Sequence, residues 1–360
     1  MDYLLTKYNQ NRRNGRKIID SDYIIRKRGN FLHVCLNSPG CRYRNSGSCI
    51  MCDYGEGIML TKEKMENIMP YIEKEAMGMQ SILIGTLGSV LDSQEISIEC
   101  LEEICNSLNR MAVETIIFET HYTTINEEIC HWLREKLIGK DIVIEVGLES
   151  VDEFVQKKCL NKIVDKRELS SKIRLLHGYA MSITANVFLG APFLTVKEQI
   201  EDTEKTIKWA IDAGIDSVVI FPANIRKNTL LNALYEDNKY LAVQHWAVYN
   251  LLQRVPDYYL DRIHLAWYGD WNDLDERGEN ENIPPHGCQI CENEWINFYR
   301  DFLLENTSMQ RKQIMKKYDK ILSEICNCRN CFEESINHKV RNEREVRVEQ
   351  MLGWLEERYN

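Results

Sequence analysis

Three cysteines on one loop, Cys41-x7-Cys49-x2-Cys52, are the residues of this 360-residue chain best placed by type and spacing to do chemistry. They follow directly on an apolar, strand-like run, Phe31–Leu36, and sit between Gly40 and Gly55. Three thiolates on one loop can hold three irons of a [4Fe–4S] cluster, because such clusters are ligated by cysteine sulfur. No fourth cysteine lies on that loop, so one iron would stay open to a substrate or cofactor. That arrangement suits catalysis better than electron carriage. Two other readings of the same spacing stand beside it: half of a zinc site completed by His33 or Cys35, or disulfide bonding. Cys35, inside an apolar run, reads as a core thiol.

A second group near the end reads Cys288-x2-Cys291, then Cys326-x-Cys328-x2-Cys331. Close pairs of cysteines suit a tetrahedral all-thiolate Zn2+ site. A second [4Fe–4S] cluster takes the same four ligands, and a group without metal is the third reading. Cys100, Cys105, Cys130 and Cys159 fall on helical patterns and read as core.

Hydrophobic content of 44% and charged content of 28% fit an ordinary globular protein. No run approaches the about 18 apolar residues of a membrane span, and the first residues lack a charged start followed by an apolar block. The expectation is a cytoplasmic protein with no membrane association. Thiols there stay reduced, which favours metal binding over disulfides. A net charge of −10 argues against broad adhesion to nucleic acid. The first thirty residues nevertheless carry Lys7, Arg12, Arg13, Arg16, Lys17, Arg26, Lys27 and Arg28, a basic arm able to meet phosphate or to serve as a solvated lead-in.

The elements that must position these residues alternate. β-Branched runs recur at Phe31–Leu36, Ser81–Ile84, Thr115–Phe118, Asp141–Val146, Ile183–Leu189 and Asp216–Phe221. Amphipathic stretches separate them at Lys62–Met77, Ser97–Met111, Asn126–Leu137, Ser170–Tyr179 and Val196–Ala213. Strands alternating with helices argue for parallel βα units. Five or six of them predict an α/β fold, a partial (β/α)6-type TIM barrel with its functional groups at the carboxyl ends of the strands. The expected divisions are a basic arm over 1–30, the core over 31–255, and a mixed, metal-binding extension over 256–360. Within the extension, Val255–Asn293 reads as loop-rich, Phe298–Ile325 as helical and Asn337–Asn360 as a charged helix.

Four expected strand exits carry polar groups or glycines. Ile84–Asp92 contains Gly85, Gly88 and Ser89, where glycine lets backbone approach a ligand. Ile117–His121 offers Glu119 and His121. Ile144–Ser150 offers Glu145 within the strand, then Glu149 and Ser150 at its exit. Asn186–Thr195 leads into a helix. Singly, each polar residue also reads as a cap or turn residue.

Together the cysteine loop, Leu87-Gly-Ser-Val-Leu-Asp92, Gly147-Leu-Glu-Ser150, Ala191-Pro-Phe-Leu-Thr195 and Phe221-Pro-Ala-Asn-Ile-Arg226 resemble the radical SAM superfamily. They are most similar to the radical SAM protein family of archaeosine biosynthesis, over nearly the whole chain beyond the arm. Tyr43, Val196, Phe221 and Arg226 depart from that pattern, three of them at or just past strand ends. The resemblance implies that Cys41, Cys49 and Cys52 hold a [4Fe–4S] cluster whose open iron takes S-adenosyl-L-methionine, with an external reducing electron donor. It implies cleavage to a 5′-deoxyadenosyl radical. It places Met51 near the adenine, Gly85, Gly88 and Ser89 at the methionine end, and Glu119, Glu149 and Ser150 at ribose or amino groups, with Asn186 a further contact. It selects Cys288, Cys291, Cys326 and Cys328 as the second metal set and leaves Cys331 out. The implied substrate is a lysine-bearing base in tRNA, processed with a partner enzyme. A tailoring enzyme for a small molecule or peptide, and a zinc-stabilised binding protein without catalysis, are the competing readings.

Overall fold

The computed structural model describes residues 21–45, 49–54, 57–227, 229–266, 282–337 and 343–359. The first twenty residues of the basic arm lie outside the described residues, as do Gly47, Ser48 and Gly55 of the cysteine loop and residues 267–281 of the loop-rich segment. Among the described residues, eight strands form one sheet whose spatial order equals their order in the chain. They are β1 (Tyr23–Arg28), β2 (Phe31–Leu36), β3 (Ser81–Thr86), β4 (Thr115–Thr120), β5 (Asp141–Glu149), β6 (Ser182–Leu189), β7 (Ser217–Pro222) and β8 (Ile263–Leu265). Strands β2 to β8 run parallel, and β1 pairs antiparallel with β2. With β1 and β8 as its edges, the sheet is a partial barrel.

Helices connect the parallel strands as the apolar spacing predicts: α1 (Lys62–Glu75), α2 (Ile98–Arg110), α3 (Glu127–Lys136), α4 (Lys166–Gly178) and α5 (Val196–Asp212). Side-chain oxygens stop four of the five at their starts, Thr61, Ser97, Asn126 and Thr195 each accepting from the amide three residues on. Helix α4 starts four residues before the expected Ser170, because Asp165 accepts from the amides of both Arg167 and Glu168. Between β7 and β8 lie α6 (Leu230–Glu236) and α7 (His245–Arg254), neither expected from the sequence.

Two rows of side chains leave each strand, since successive residues point to opposite faces. One row is apolar and fully buried: Leu32, Val34 and Leu36 on β2, Ile116 and Phe118 on β4, Ile183, Ala185 and Val187 on β6. The other row carries His33 and Cys35, Gly85, Glu119, Glu145 and Gly147, and Asn186. Register aligns it across strands, Cys35 with Gly85, Glu119 with Glu145, and Gly147 with Asn186. The apolar row packs under the helices and the second row faces the hollow of the partial barrel.

Two expectations need correction. The arm over 1–30 is not all lead-in, because Tyr23–Arg28 is an edge strand registered against β2 from Tyr23↔Leu36 to Arg28↔Phe31. Its charges hid it, and charge is what edge strands tolerate. The helical pattern of Phe298–Ile325 is two helices, α8 (Glu292–Leu304) and α9 (Ser308–Ile325), with Thr307 accepting from the Gln310 amide to start the second. Two more follow, α10 (Cys328–Asn337) and α11 (Arg344–Tyr359). Trp295, Phe298, Tyr299 and Phe302 of α8 are buried, Trp295 and Phe298 against Tyr249 of α7 and Trp295 edge-on to Trp246 at 4.9 Å. Among described residues, no helix is long and apolar enough to cross a membrane.

Thr195 and Glu198 close a reciprocal capping box at α5, and Arg347 of α11 pairs with the same Glu198. Thr195→Ala should lower unfolding free energy by about 1 kcal/mol, read as a lower urea midpoint at unchanged slope.

Candidate functional site

The cysteine loop is anchored on three sides. Its start hangs on the β3 exit, where the Cys41 amide donates to the Leu87 carbonyl at 3.2 Å and Arg42 pairs with Asp92 at 2.5 Å. Its middle is tied to the β5 exit: the Tyr43 hydroxyl donates to the Asn161 carbonyl at 2.5 Å and the Ile50 amide to the Leu160 carbonyl at 3.1 Å. Its end meets the segment after β7. There the Leu231 amide donates to the Ile50 carbonyl at 3.1 Å, Arg226 lies 3.5 Å from Asp53, and its guanidinium covers the Tyr54 ring at 5.4 Å. Cys41, Cys49 and Cys52 are thiols outside any disulfide and half-buried, and Met51 packs against the core beside them. Burial raises the Cys49 thiol, while nearby Lys162 opposes the shift and Cys52, Glu149 and Cys41 add to it. Cys41 and Cys52 are thus both close enough to Cys49 to act on it electrostatically.

Glu95, which sequence reasoning missed, joins the first two loops. Its buried carboxylate accepts from the Ser38 hydroxyl at 2.9 Å, the Thr86 hydroxyl at 3.0 Å and the Ser89 amide at 2.9 Å. A Cβ on Gly88 would collide with this carboxylate and lie 2.6 Å from the Cys41 amide nitrogen. Gly88 is thus required by close approach. Ser89 is buried and its hydroxyl accepts from the His121 amide at 3.0 Å, linking the β3 and β4 exits.

Carboxylates gather in the hollow. Glu119 leans over Gly85, where an added Cβ would sit 2.8 Å from its Oε2. Burial first, then Glu145 and Glu149, push the Glu119 carboxyl up to about 8. Burial pushes Glu145 up to about 7 against a hydrogen bond from Asn186. The Asn186 Oδ1 is buried and has no partner among the described residues. Glu149 leaves β5 at φ +62°, a strained backbone for a non-glycine residue, beside a register shift in the β5–β6 pairing. Its carboxylate pairs with Lys162 Nζ at 2.9 Å above Gly147. Lys162 was also missed, since a single lysine thirteen residues after Glu149 carries no pattern.

Ser150 points elsewhere. Its hydroxyl donates to Asp202 at 2.7 Å and accepts from the Asp152 amide at 3.1 Å, bracing the turn after β5. Cys35, expected in the core, lies on the row facing the hollow and is half-buried, with Glu119 and Arg226 among its charged neighbours. A strand's apolar composition does not tell which of its two rows faces the helices.

The tail cysteines converge separately. Cys288 and Cys291 sulfurs lie 3.3 Å apart, Cys291 and Cys328 3.6 Å, and Cys326 and Cys328 3.1 Å, all four within 4.8 Å of one another. Cys331 is exposed and is not part of this group. Zn–S bonds of about 2.3 Å in a tetrahedron place sulfurs roughly 3.8 Å apart, whereas a [4Fe–4S] cluster spreads its thiolates over four irons. Trp246 Nε1 donates to Cys328 Sγ at 3.1 Å. Glu292 accepts from the Gly287 amide at 2.7 Å and meets His245 Nε2 at 3.2 Å, while His245 Nδ1 meets the Tyr299 hydroxyl at 3.0 Å.

No protein-family model matches the chain. An uncharacterized protein of Methanocaldococcus jannaschii is 27% identical over 237 residues, 63% of this chain and 65% of that one. Archaeosine synthase subunit beta of Methanosarcina acetivorans is 25% identical over 279 residues, 76% of this chain and 78% of the relative. The chain is a relative of archaeosine synthase subunit beta. The match agrees with the family resemblance carried by its motifs. Among solved structures, the radical S-adenosylmethionine methyltransferase TsrM of Kitasatospora setae matches with a TM-score of 0.46 and 12% identity, covering 82% of this chain and 63% of that one.

The raised carboxyls give a pH dependence. In the folded chain Glu145 keeps its proton to about 7, above its ordinary value of 4.5. Between those values the folded state binds more protons than the unfolded one, so stability falls as pH rises through this window. Glu145→Gln should flatten that fall by on the order of 2 kcal/mol, measured as urea unfolding at pH 5 and pH 8.

Proposed function

We propose that this chain is a radical SAM enzyme acting on a modified base in tRNA. The observation that carries the reading is the fastening of the three-cysteine loop at the carboxyl ends of a parallel sheet, where the Lys162–Glu149 pair also lies. The donor set fits the cofactors: three thiols without a fourth on the loop, the Gly85 and Gly88 cradles, and an unpartnered buried oxygen on Asn186. Cys41, Cys49 and Cys52 would hold a [4Fe–4S] cluster. When bound, cluster and S-adenosylmethionine supply one-electron cleavage to a 5′-deoxyadenosyl radical.

The chain's own residues do the positioning. Lys162, a cation beside the thiols, suits a carboxylate, while Glu149 and Glu119 suit an ammonium or ribose hydroxyls. Asn186 offers an acceptor from β6. Met51 would border the base, and Gly85, Gly88 and Ser89 would let the methionine end approach backbone. Ser150 acts by bracing the turn that carries Glu149. Burial of this row excludes water, which protects a reactive species from quenching.

Residues 31–255, with β1 added to them, form the catalytic unit in this reading, and 256–360 form the extension. Zn2+ at Cys288, Cys291, Cys326 and Cys328 would clamp α8 and α10 against α7. The relative named archaeosine synthase subunit beta supports a tRNA substrate and a partner subunit, in a cytoplasmic setting with an external electron donor. The net charge of −10 favours a second reading, a tailoring reaction on a small molecule or peptide. Product formation on unmodified and precursor-bearing tRNA, with and without partner, separates the two.

Anaerobically reconstituted protein with dithionite should yield 5′-deoxyadenosine, and Cys41→Ala, Cys49→Ala and Cys52→Ala should each fall to background. Absence of that product from the unaltered chain would refute the reading. Metal analysis should find about four irons and about one zinc. Replacing Cys288 and Cys291 by Ser should remove the zinc and lower the melting temperature, with iron retained. Replacing Cys331 should do neither, and about eight irons without zinc would point to a second cluster instead.

A further inference from the structure

The last helix returns to the barrel. Arg344, at the start of α11, stands 192 residues after Asp152 in the chain, yet its Nη1 donates to the Asp152 carboxylate at 3.0 Å. Its guanidinium covers the Phe154 ring at 4.4 Å, and Glu345 accepts from its Nε at 3.2 Å. Three residues on, Arg347 pairs with Glu198 of α5 and donates to the Phe193 carbonyl at 3.3 Å. Helix α11 therefore ties together the turn after β5 and the start of α5. Ser150 joins the same two segments by donating to Asp202.

Asp152 is where this tie reaches the site. Its amide donates to the hydroxyl of Ser150, the residue after Glu149, at 3.1 Å. Its second carboxylate oxygen accepts from the Phe154 amide at 2.8 Å and the Val155 amide at 3.3 Å. Its carbonyl accepts from the Gln156 amide at 2.9 Å. The buried Gln156 then closes the segment: Nε2 donates to the Ser150 carbonyl at 2.7 Å, Oε1 accepts from the Val164 amide at 3.3 Å, and the carbonyl accepts from the Lys162 amide at 2.9 Å. Glu149 and Lys162 thus stand at the two ends of one internally clipped segment, with Asp152 at its outer corner. The Arg344–Asp152 pair is partly exposed on both sides, 37% and 28%, so it adds little to folding stability. What it supplies is placement.

We infer that Arg344 is a positioning residue for the Lys162–Glu149 pair, through which the last helix of the extension completes the site. A strained backbone persists only where its surroundings over-determine it. At Glu149, held at φ +62°, those surroundings include the turn that Arg344 pins through Asp152. Binding groups keep productive geometry only when the residues behind them are themselves locked. The core over 31–255 then depends on a helix from the far end of the chain to present these two side chains. The inference rests on the radical SAM reading above, in which the pair meets the amino-acid end of the cofactor.

The test is calorimetric titration of the full-length, anaerobically reconstituted protein with S-adenosylhomocysteine and with 5′-methylthioadenosine, which lacks the amino-acid end. Arg344→Gln should weaken S-adenosylhomocysteine binding by about fivefold or more and leave methylthioadenosine binding within about twofold. Iron content and the urea midpoint should stay close to those of the unaltered chain. General damage to the fold would weaken both ligands alike. Arg344→Lys, which keeps the charge but not the flat face over Phe154, should recover part of the loss. Asp152→Asn, which keeps an acceptor for the turn amides but loses the ion pair, should repeat the selective loss, and it carries the test should the Arg344 variants not fold. Unchanged S-adenosylhomocysteine affinity in the folded variants, or an equal loss for both ligands, overturns the role of Arg344 alone. Failure of the unaltered chain to bind S-adenosylhomocysteine overturns the radical SAM reading itself.

Discussion

The placement of the cysteine loop depends on a carboxylate that is costly to bury. Glu95 sits behind the β3 exit, and burial raises its carboxyl even though Ser38, Thr86 and the Ser89 amide all donate to it. Desolvation outweighs three hydrogen bonds there, so the residue is not an efficient source of stability. It holds the segment entering the cysteine loop against the glycine turn after β3, and the Cys41 amide closes the same junction on Leu87. Gly88 has no side chain because the carboxylate fills that space. Without this tie the start of the loop would be held by the Cys41–Leu87 hydrogen bond and the Arg42–Asp92 pair.

The same economy of side chains recurs across the hollow. Gly85 makes room for Glu119, and Gly147 for the Lys162–Glu149 pair. Burial, helped at Glu119 by Glu145 and Glu149, keeps protons on the Glu119 and Glu145 carboxyls near neutral pH. The backbone at Glu149 is held at positive φ, and Asn186 keeps a buried oxygen unpaired. The strained Glu149, the raised Glu119 and Glu145 carboxyls and the unpaired Asn186 oxygen share one face of the sheet, while the side chains of the other face are apolar and buried. Such concentration marks where a structure serves ligands rather than its own stability.

Much of this was legible in the sequence. The βα rhythm located six of the parallel strands and five connecting helices, because apolar periodicity and capping residues such as Asn126 and Thr195 act locally. The cysteine loop and the strand-end acids stood out by type and place. What escaped depends on three-dimensional neighbours. Glu95 and Lys162 are isolated charges in sequence and acquire meaning only from the loops folded onto them. Cys35 could be assigned a face only once the register was known. The β1 strand was concealed by its arginines and lysine, and Ser150 was drawn into a turn by Asp202, which lies one helix away in the chain.

The central claim is that Cys41, Cys49 and Cys52 hold a redox-active cluster with an iron open to S-adenosylmethionine. Electron paramagnetic resonance of the anaerobically reconstituted, dithionite-reduced protein, recorded before and after adding S-adenosylmethionine, tests it most directly. The account predicts the signal of a reduced [4Fe–4S] cluster whose g values change when S-adenosylmethionine is added. A protein that gives no such signal, or one whose signal S-adenosylmethionine leaves unchanged, would contradict it.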